Sequence, residues 1–431
     1  MNADGTSMKG KQGWRRALRF SLALLGLFLC YRLIVVSARN GVARLFSTVA
    51  VVQTNIEAAD RAARINPADP EVHYTRALNL VNLERLNESI GELKQAILLR
   101  PHYYYQWLDL GVTIQRVGNQ TEAEAALRES VRLAPSFAQP HWQLGNLLYR
   151  QERYQEAFDE LRRGAKSNPA LVEGVLDLAW FAANEDVRNF ETLVQPETAR
   201  SRLELAWFLA KRGKGIDAAR QVREAGAPRD EDERSLQNKT ILELLALGNL
   251  SDAFDVWSVS HSRPGPRSEQ ILNGDFVDPI VADDPGFGWQ LSTTPHVLIS
   301  IDPVGPAQNS RSLRIEFSGE STTTSEVINQ LVLLAPNGHY SLSFLAKTEK
   351  LITGGPPVIV VSEAGVKSPK VLGQSQALSP RSGDWTSYTV DFSSEATTSG
   401  ILISLQRLPC NQNPCPVFGR LWLSGFKLSK K

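Results

Sequence analysis

Four prolines stand 34 residues apart, Pro67, Pro101, Pro135 and Pro169, and no other feature restricts the fold so tightly. Proline has no backbone N–H to give, so each one ends a helix. A fixed period of this length implies a stacked unit that cannot bury its apolar face alone. Between the prolines, small residues such as Gly111 and Ala123 recur where two helices must approach closely. Large apolar residues fill the positions that face the neighbouring unit.

The spacing inside the units is specific. In the unit from Tyr104, Trp107, Leu110, Gly111 and Ile114 occupy the packing positions of a first helix, and Ala123, Leu127, Ser130 and Pro135 those of a second. The unit from Pro70 offers Ala77, Leu80, Ser89, Leu93, Ala96 and Pro101; that from Ala138 offers Leu144, Gly145, Leu148, Ala157, Leu161 and Pro169. This pattern resembles the tetratricopeptide (TPR) family. Weaker units begin at Ala199 and Arg234, while Leu171–Thr198 keeps helical periodicity without the consensus. Ala50–Asn66 reads as a lone second helix, either separate from or continuous with the apolar segment ahead of it, and 50–262 as an all-α solenoid of five to six hairpins.

The family resemblance places the binding surface on the inner face, at the second, fifth, ninth, twelfth and thirteenth positions of each first helix. Here these include Tyr74, Asn82, Tyr105, Gln115, Arg116, Trp142, Asn146, Tyr149 and Arg150. Aromatic, Asn and Arg side chains are what a peptide- or sugar-binding groove would contain. The Lys/Asn set with which relatives clamp a peptide carboxylate is mostly missing.

Ahead of the repeats, Lys9, Lys11, Arg15, Arg16 and Arg19 form a basic tail (1–19) before the apolar stretch Phe20–Ala38. Nineteen residues approach the roughly 20 that span a bilayer. Arg32 costs about 2.5–3.5 kcal/mol at mid-bilayer, reduced by snorkelling from its position toward the end of the stretch. The rival reading is a signal peptide with Val36-Ser37-Ala38 as its cleavage site. Leu29 before Cys30 does not suit a lipoprotein signal. Both readings keep the N-terminus cytoplasmic and export the chain beyond residue 38. Cys410 and Cys415, in a short Pro/Asn loop, then form a local disulfide. The six histidines lack ligand spacing, so neither metal nor cofactor is expected.

Ser262–Arg267 (SRPGPR) breaks the helical pattern. Beyond it the period becomes two, in 312–317, 340–346, 388–392 and 401–406, as in an antiparallel jelly-roll sandwich over 268–431. The order NGDF (273–276), GW (288–289), YSLSFLAK, the strand after Trp385, and GRLWLSGFKL (419–428) resembles galactose-binding-like sandwiches, including many carbohydrate-binding modules. The resemblance implies a sugar surface, for which Trp422 is the candidate platform because it points opposite to Leu421 and Leu423. Trp289 and Trp385 read as core or strand-end anchors. Val277 and Ser424 replace acids with which relatives help to hold calcium.

A net charge of +1 gives no bulk attraction to nucleic acid. No phosphate loop, nucleophile elbow or zinc-protease helix occurs. The adjacent acids Asp283-Asp284 and Glu231-Asp232-Glu233 read as solvated charge. The sequons at Asn87, Asn119, Asn238 and Asn249 have meaning only in a eukaryotic secretory host. The expectation is a non-enzymatic, membrane-anchored extracytoplasmic scaffold in cell-envelope or exopolysaccharide work, binding protein through the repeats and glycan through the sandwich. The alternative is protein–protein assembly alone, and a loop-based enzyme is a third.

Overall fold

The computed structural model describes residues 6–261, 268–281, 284–308, 310–320, 326–410 and 415–431. The linker Ser262–Arg267, Asp283 of the acidic pair, the tip of the Cys410–Cys415 loop and, of the N-terminal basic cluster, every side chain but Arg19 lie outside the described residues. By contacts the chain divides into two compact units, 1–195 and 196–431.

The first unit opens on α1 (Thr6–Gln53), which is long and apolar enough over Leu18–Gln53 to cross a membrane. At 1.5 Å per residue, the 36 residues from Leu18 measure about 54 Å, well beyond a bilayer core of about 30 Å. The last turns therefore have another role. Ala43, Ser47 and Ala50 are buried on one stripe against α2 (Ile56–Ile65), through Ala58, Ala59 and Ala62. Arg39 donates to the Ile65 carbonyl (2.7 Å), satisfying a free group at the end of α2. Thr54, at φ 51, breaks the helix and Asn55 caps the next. The segment before Pro67 is thus the second half of a hairpin whose first half is the end of α1, where the sequence suggested a lone helix.

Three hairpins of constant dimensions come next: α3 (Pro70–Asn82) with α4 (Leu86–Leu99), α5 (Tyr104–Arg116) with α6 (Gln120–Leu133), and α7 (Ala138–Arg150) with α8 (Tyr154–Ser167). Each turn contains one left-handed residue, Glu84, Gly118 and Glu152, again 34 apart. The ladder prolines have a second use. Ring nitrogens of His73, Trp107 and His141 lie 2.9, 2.8 and 2.9 Å from the carbonyls of Pro67, Pro101 and Pro135. The other nitrogen of each histidine meets a glutamate 19 residues on, Glu92 or Glu160, both at 2.6 Å. Indole has a single nitrogen, and Ala126 stands where the glutamate would be. The unit closes with α9 (Val172–Ala182) and the short α10 (Val187–Val194), stopped by left-handed Gln195.

The second unit begins with α11 (Ala199–Lys211), α12 (Gly215–Ala225), α13 (Glu231–Ala246) and α14 (Leu250–Ser258). Its two sheets are wholly antiparallel, with orders β1-β4-β9-β6-β7 and β2-β3-β10-β5-β8. The strands are β1 (Gln290–Leu291), β2 (Val297–Asp302), β3 (Ser312–Glu320), β4 (Ile328–Leu333), β5 (His339–Thr353), β6 (Pro357–Glu363), β7 (Val371–Gln374), β8 (Thr386–Ser393), β9 (Gly400–Arg407) and β10 (Pro416–Lys430). Alternate residues such as Leu313, Ile315, Phe344, Ile401, Leu421 and Leu423 form one core between the sheets. Cys410 and Cys415 are disulfide-bonded. The last helices belong to this unit by packing: Phe254 meets Phe287 edge-on at 4.9 Å, and the Trp257 indole donates to Asp284 (2.8 Å).

Phe276 and Trp289, of the NGDF and GW motifs, pack into the sandwich core. Asn273 is left-handed (φ 49) and its amide brackets the Asp278 backbone from both sides. Gly274 has no room for a side chain, since a Cβ there would sit 2.2 Å from the Phe426 carbonyl oxygen. Phe276 is buried against Trp289 and Phe426, and the Trp289 indole donates to Asn273 (3.2 Å).

Candidate partner-binding face and sugar platform

The first helices α3, α5, α7 and α9 of successive hairpins touch through side chains, and their shared face carries the candidate residues. Tyr74 on α3 and Tyr105 on α5 meet edge-to-face with centroids 4.9 Å apart. The Tyr74 hydroxyl donates to Asp109 Oδ2 (2.6 Å), and that of Tyr105 reaches back toward Glu71 Oε2 (3.5 Å). Burial pushes the Tyr74 phenol far up, helped by Asp109, and pushes Asp109 itself up against the opposing pull of the Tyr74 hydrogen bond. Tyr105 is also raised, by burial and by Glu71. Glu71 and Asp109 were not singled out from the sequence. Their signal is the spacing: Tyr74 and Asp109 lie 35 apart and Glu71 and Tyr105 lie 34 apart, one repeat on.

Further along, Trp142 on α7 lies against α9, where its ring is 3.3 Å from the position a Cβ on Gly174 would take. Asn146 turns its amide onto the Trp142 carbonyl (2.8 Å). Tyr149 packs edge-on to Tyr154 and Phe158, so much of its surface is spent within its own hairpin. Asn82, Gln115, Arg116 and Arg150 sit at the C-terminal ends of their helices, away from the tyrosine pair. Arg116 is held by Glu84 (2.8 Å), and Asn82 and Arg150 are exposed.

On the sandwich, Trp422 stands on the outer face of its sheet between two buried neighbours, Leu421 and Leu423. Directly opposite it are Arg314 on β3 and Lys347 on β5. Their cationic groups lie 5.9 and 5.7 Å from the ring centroid. Its indole donates to Asp302 (2.9 Å), and that bond holds the Asp302 carboxyl below its ordinary value. Trp289 is buried, and Trp385 is half-buried immediately before β8. Ser424 is buried, with its hydroxyl donating to the Arg311 carbonyl (2.7 Å).

A cavity of about 520 Å³ lies where α14 meets the sandwich, lined by Trp257, His261, Asn273, Asp284, Trp289 and Gln330 among others. Its polar groups are turned on one another: Asp284 faces His261 at 3.3 Å, and the Gln330 amide brackets the Leu272 backbone. Burial would lower the His261 pKa, but Asp284 and the Trp257 carbonyl outweigh it and raise the pKa. Among the described residues, no group of three or more His, Cys, Asp or Glu could hold a metal ion.

No protein-family model and no curated protein matches the chain. Among solved structures, residues 41 to the end of MamA from Desulfovibrio magneticus RS-1 are 16% identical over 36% of this chain and 94% of that one, with a TM-score of 0.32. A structure from the functional characterization of Pseudomonas aeruginosa pilF is 19% identical over 47% of this chain and 98% of that one, at 0.33. A CBM4 structure is 18% identical over 37% of this chain and 99% of that one, at 0.28.

Proposed function

We propose that this chain is a non-catalytic scaffold, anchored by α1 with its N-terminus cytoplasmic, whose first-helix face holds a protein partner outside the cytoplasm. The carrying observation is the run of half-exposed aromatic side chains, Tyr74, Tyr105 and Trp142, that crosses three consecutive first helices. Large aromatics contribute contact area at small entropic cost, which suits a partner-binding surface. The disulfide supports an oxidising compartment. Affinity purification of the full chain from its native membranes tests the reading. A stoichiometric protein partner should be lost from a Tyr105→Ala/Trp142→Ala variant that keeps its helical circular dichroism; undiminished recovery would refute it.

The sandwich, on this proposal, touches a glycan through Trp422, in a cell-envelope or exopolysaccharide pathway. One observation favours the purely protein-binding alternative. The Trp422 indole is already engaged by Asp302, and two cations crowd its ring, so a pyranose must displace them to stack. Retention of the full chain on a panel of immobilised polysaccharides, lost on Trp422→Ala, would support the glycan reading. No retention would leave protein assembly alone.

A further inference from the structure

The tyrosine pair has a chemical character that narrows the partner. Glu71 and Asp109 flank two tyrosine rings, and among the described residues neither carboxylate has a cation within 4 Å. Elsewhere in the same hairpins carboxylates are routinely paired: Glu88 with Arg85 (2.6 Å), Glu92 with Arg76 (2.5 Å), Glu122 with Lys94 (2.7 Å) and Glu129 with Arg132 (2.5 Å). The exception falls on the face proposed to receive a partner, at the point where its aromatics are densest.

The geometry of the four side chains is reciprocal. Tyr74 on α3 donates to Asp109 on α5, and Tyr105 on α5 donates toward Glu71 on α3. Each hydroxyl hydrogen is thereby directed to a carboxylate. Each carboxylate keeps a second oxygen, and both rings stay half-exposed although Tyr105 also meets Tyr103 and Tyr104 edge-on. A half-buried carboxylate among aromatics is costly to ionise without a counter-charge, and burial does push Asp109 up. Carboxylates beside aromatic faces are the surroundings a guanidinium prefers, because its planar fork bonds carboxylates while its face stacks. The chain shows the same taste internally: the Arg100 guanidinium lies 4.5 Å from the centroid of Tyr103, whose ring in turn meets Tyr105 at 5.4 Å.

We infer that Glu71, Tyr74, Tyr105 and Asp109 form a receptor for an arginine side chain presented by a basic segment of the protein partner. The inference rests on the reading of the first-helix face as the partner surface, and it adds the partner's charge and anchor residue.

The test uses the full chain in detergent micelles and three fluorescein-labelled dodecapeptides, alternating Gly-Arg, Gly-Lys and Gly-Glu, followed by fluorescence anisotropy. The Gly-Arg peptide should bind most tightly and Gly-Glu least. Glu71→Gln and Asp109→Asn should each weaken the Gly-Arg peptide about tenfold or more, the usual scale for a lost charged hydrogen bond. Glu152→Gln, an exposed acid in the turn between α7 and α8, should leave it unchanged. Tyr74→Phe separates recognition from a merely structural latch. It keeps the ring and frees Asp109, so binding should persist or tighten, whereas a latch would make it behave like Asp109→Asn. If Asp109→Asn does not fold, half-exposed Glu71→Gln carries the test. Equal losses in Glu71→Gln, Asp109→Asn and Glu152→Gln, or no preference for Gly-Arg, would overturn the inference. Should that happen while the Tyr105→Ala/Trp142→Ala variant still loses its protein partner, the partner surface stands and only the arginine receptor falls.

Discussion

Gly111 and Gly91 make a matched pair, because the same substitution should move stability in opposite directions. Both lie inside helices of the regular hairpins, α5 and α4. Replacing a helix-interior glycine by alanine gains about 1 kcal/mol of helix propensity. At Gly91 a new Cβ meets nothing within 4 Å, so Gly91→Ala should stabilise by about 0.5–1 kcal/mol. At Gly111 the Cβ would lie 2.6 Å from Leu127 Cγ, 2.9 Å from Leu127 Cδ2 and 3.1 Å from the Ala123 carbonyl oxygen. Favourable carbon contacts need about 3.5–4.0 Å. The nearest atom is the leucine branch point, the second is on the same side chain and the third is backbone, so relief requires α5 and α6 to separate. Overpacking of this kind costs about 1–3 kcal/mol. Set against the propensity gain and weighted to the upper end, Gly111→Ala should destabilise by about 1–2 kcal/mol. Hydrogen exchange resolved by peptide is the assay, since stability in stacked repeats is largely local. Opening of α5 and α6 should become about five- to thirtyfold more frequent in Gly111→Ala, while α4 gains protection in Gly91→Ala. A Gly111→Ala chain as protected as the parent would refute the close-packing argument for the repeat. Gly145, whose Cβ would lie 2.7 Å from Leu161 Cγ, should behave like Gly111.

Other parts of the chain give three further expectations. The hydrogen bond to Glu92 raises the His73 pKa above 6.5, and His73 with Arg76 holds Glu92 below 4.5 although burial alone would raise it. The His73 contribution is therefore complete below pH 6.5 and lost as pH rises through the folded value; the Glu92 contribution is complete above pH 4.5 and lost as pH falls. Proton NMR of the imidazole should show His73 titrating above 6.5 and moving down in Glu92→Gln. Gly274→Ala drives a Cβ to 2.2 Å from a backbone oxygen and should cost the sandwich about 1–3 kcal/mol or more, read as a lower urea midpoint for the strand signal while α5 and α6 keep their exchange protection. Chain isolated from native membranes without reductant should show no alkylation at Cys410 or Cys415 until reduced, with Cys30 as the internal free-thiol reference.

The repeats were legible because proline, glycine and alanine sit where backbone geometry leaves no choice, so Gly111, Gly145 and the proline ladder announce the hairpins directly. The hairpin at the end of α1 was hidden: Ala43, Ser47 and Ala50 are small enough to continue the apolar membrane stretch, and only their burial against α2 reveals a packing stripe. A second 34-residue ladder, the left-handed turn position, leaves no mark in the sequence because Glu84 and Glu152 fill it in place of glycine. Half-buried strands such as β3 and β8 alternate and could be read, whereas Pro357–Glu363 is buried on both faces and shows no period of two. For the candidate site, Tyr74 and Tyr105 came from repeat positions, but Glu71 and Asp109 did not. Acids on a helix usually mean solvated surface, and nothing in one dimension shows that the neighbouring arginines point elsewhere.

Photocrosslinking in living cells addresses the scaffold claim most directly. Benzoylphenylalanine placed at Trp142 on α7 would be compared with the same probe at Leu98, an exposed residue on α4. The expected result is a discrete adduct with one protein species from Trp142 and none from Leu98. Adducts from Leu98 alone, or the same diffuse background from both, would contradict a first-helix face built to hold a partner.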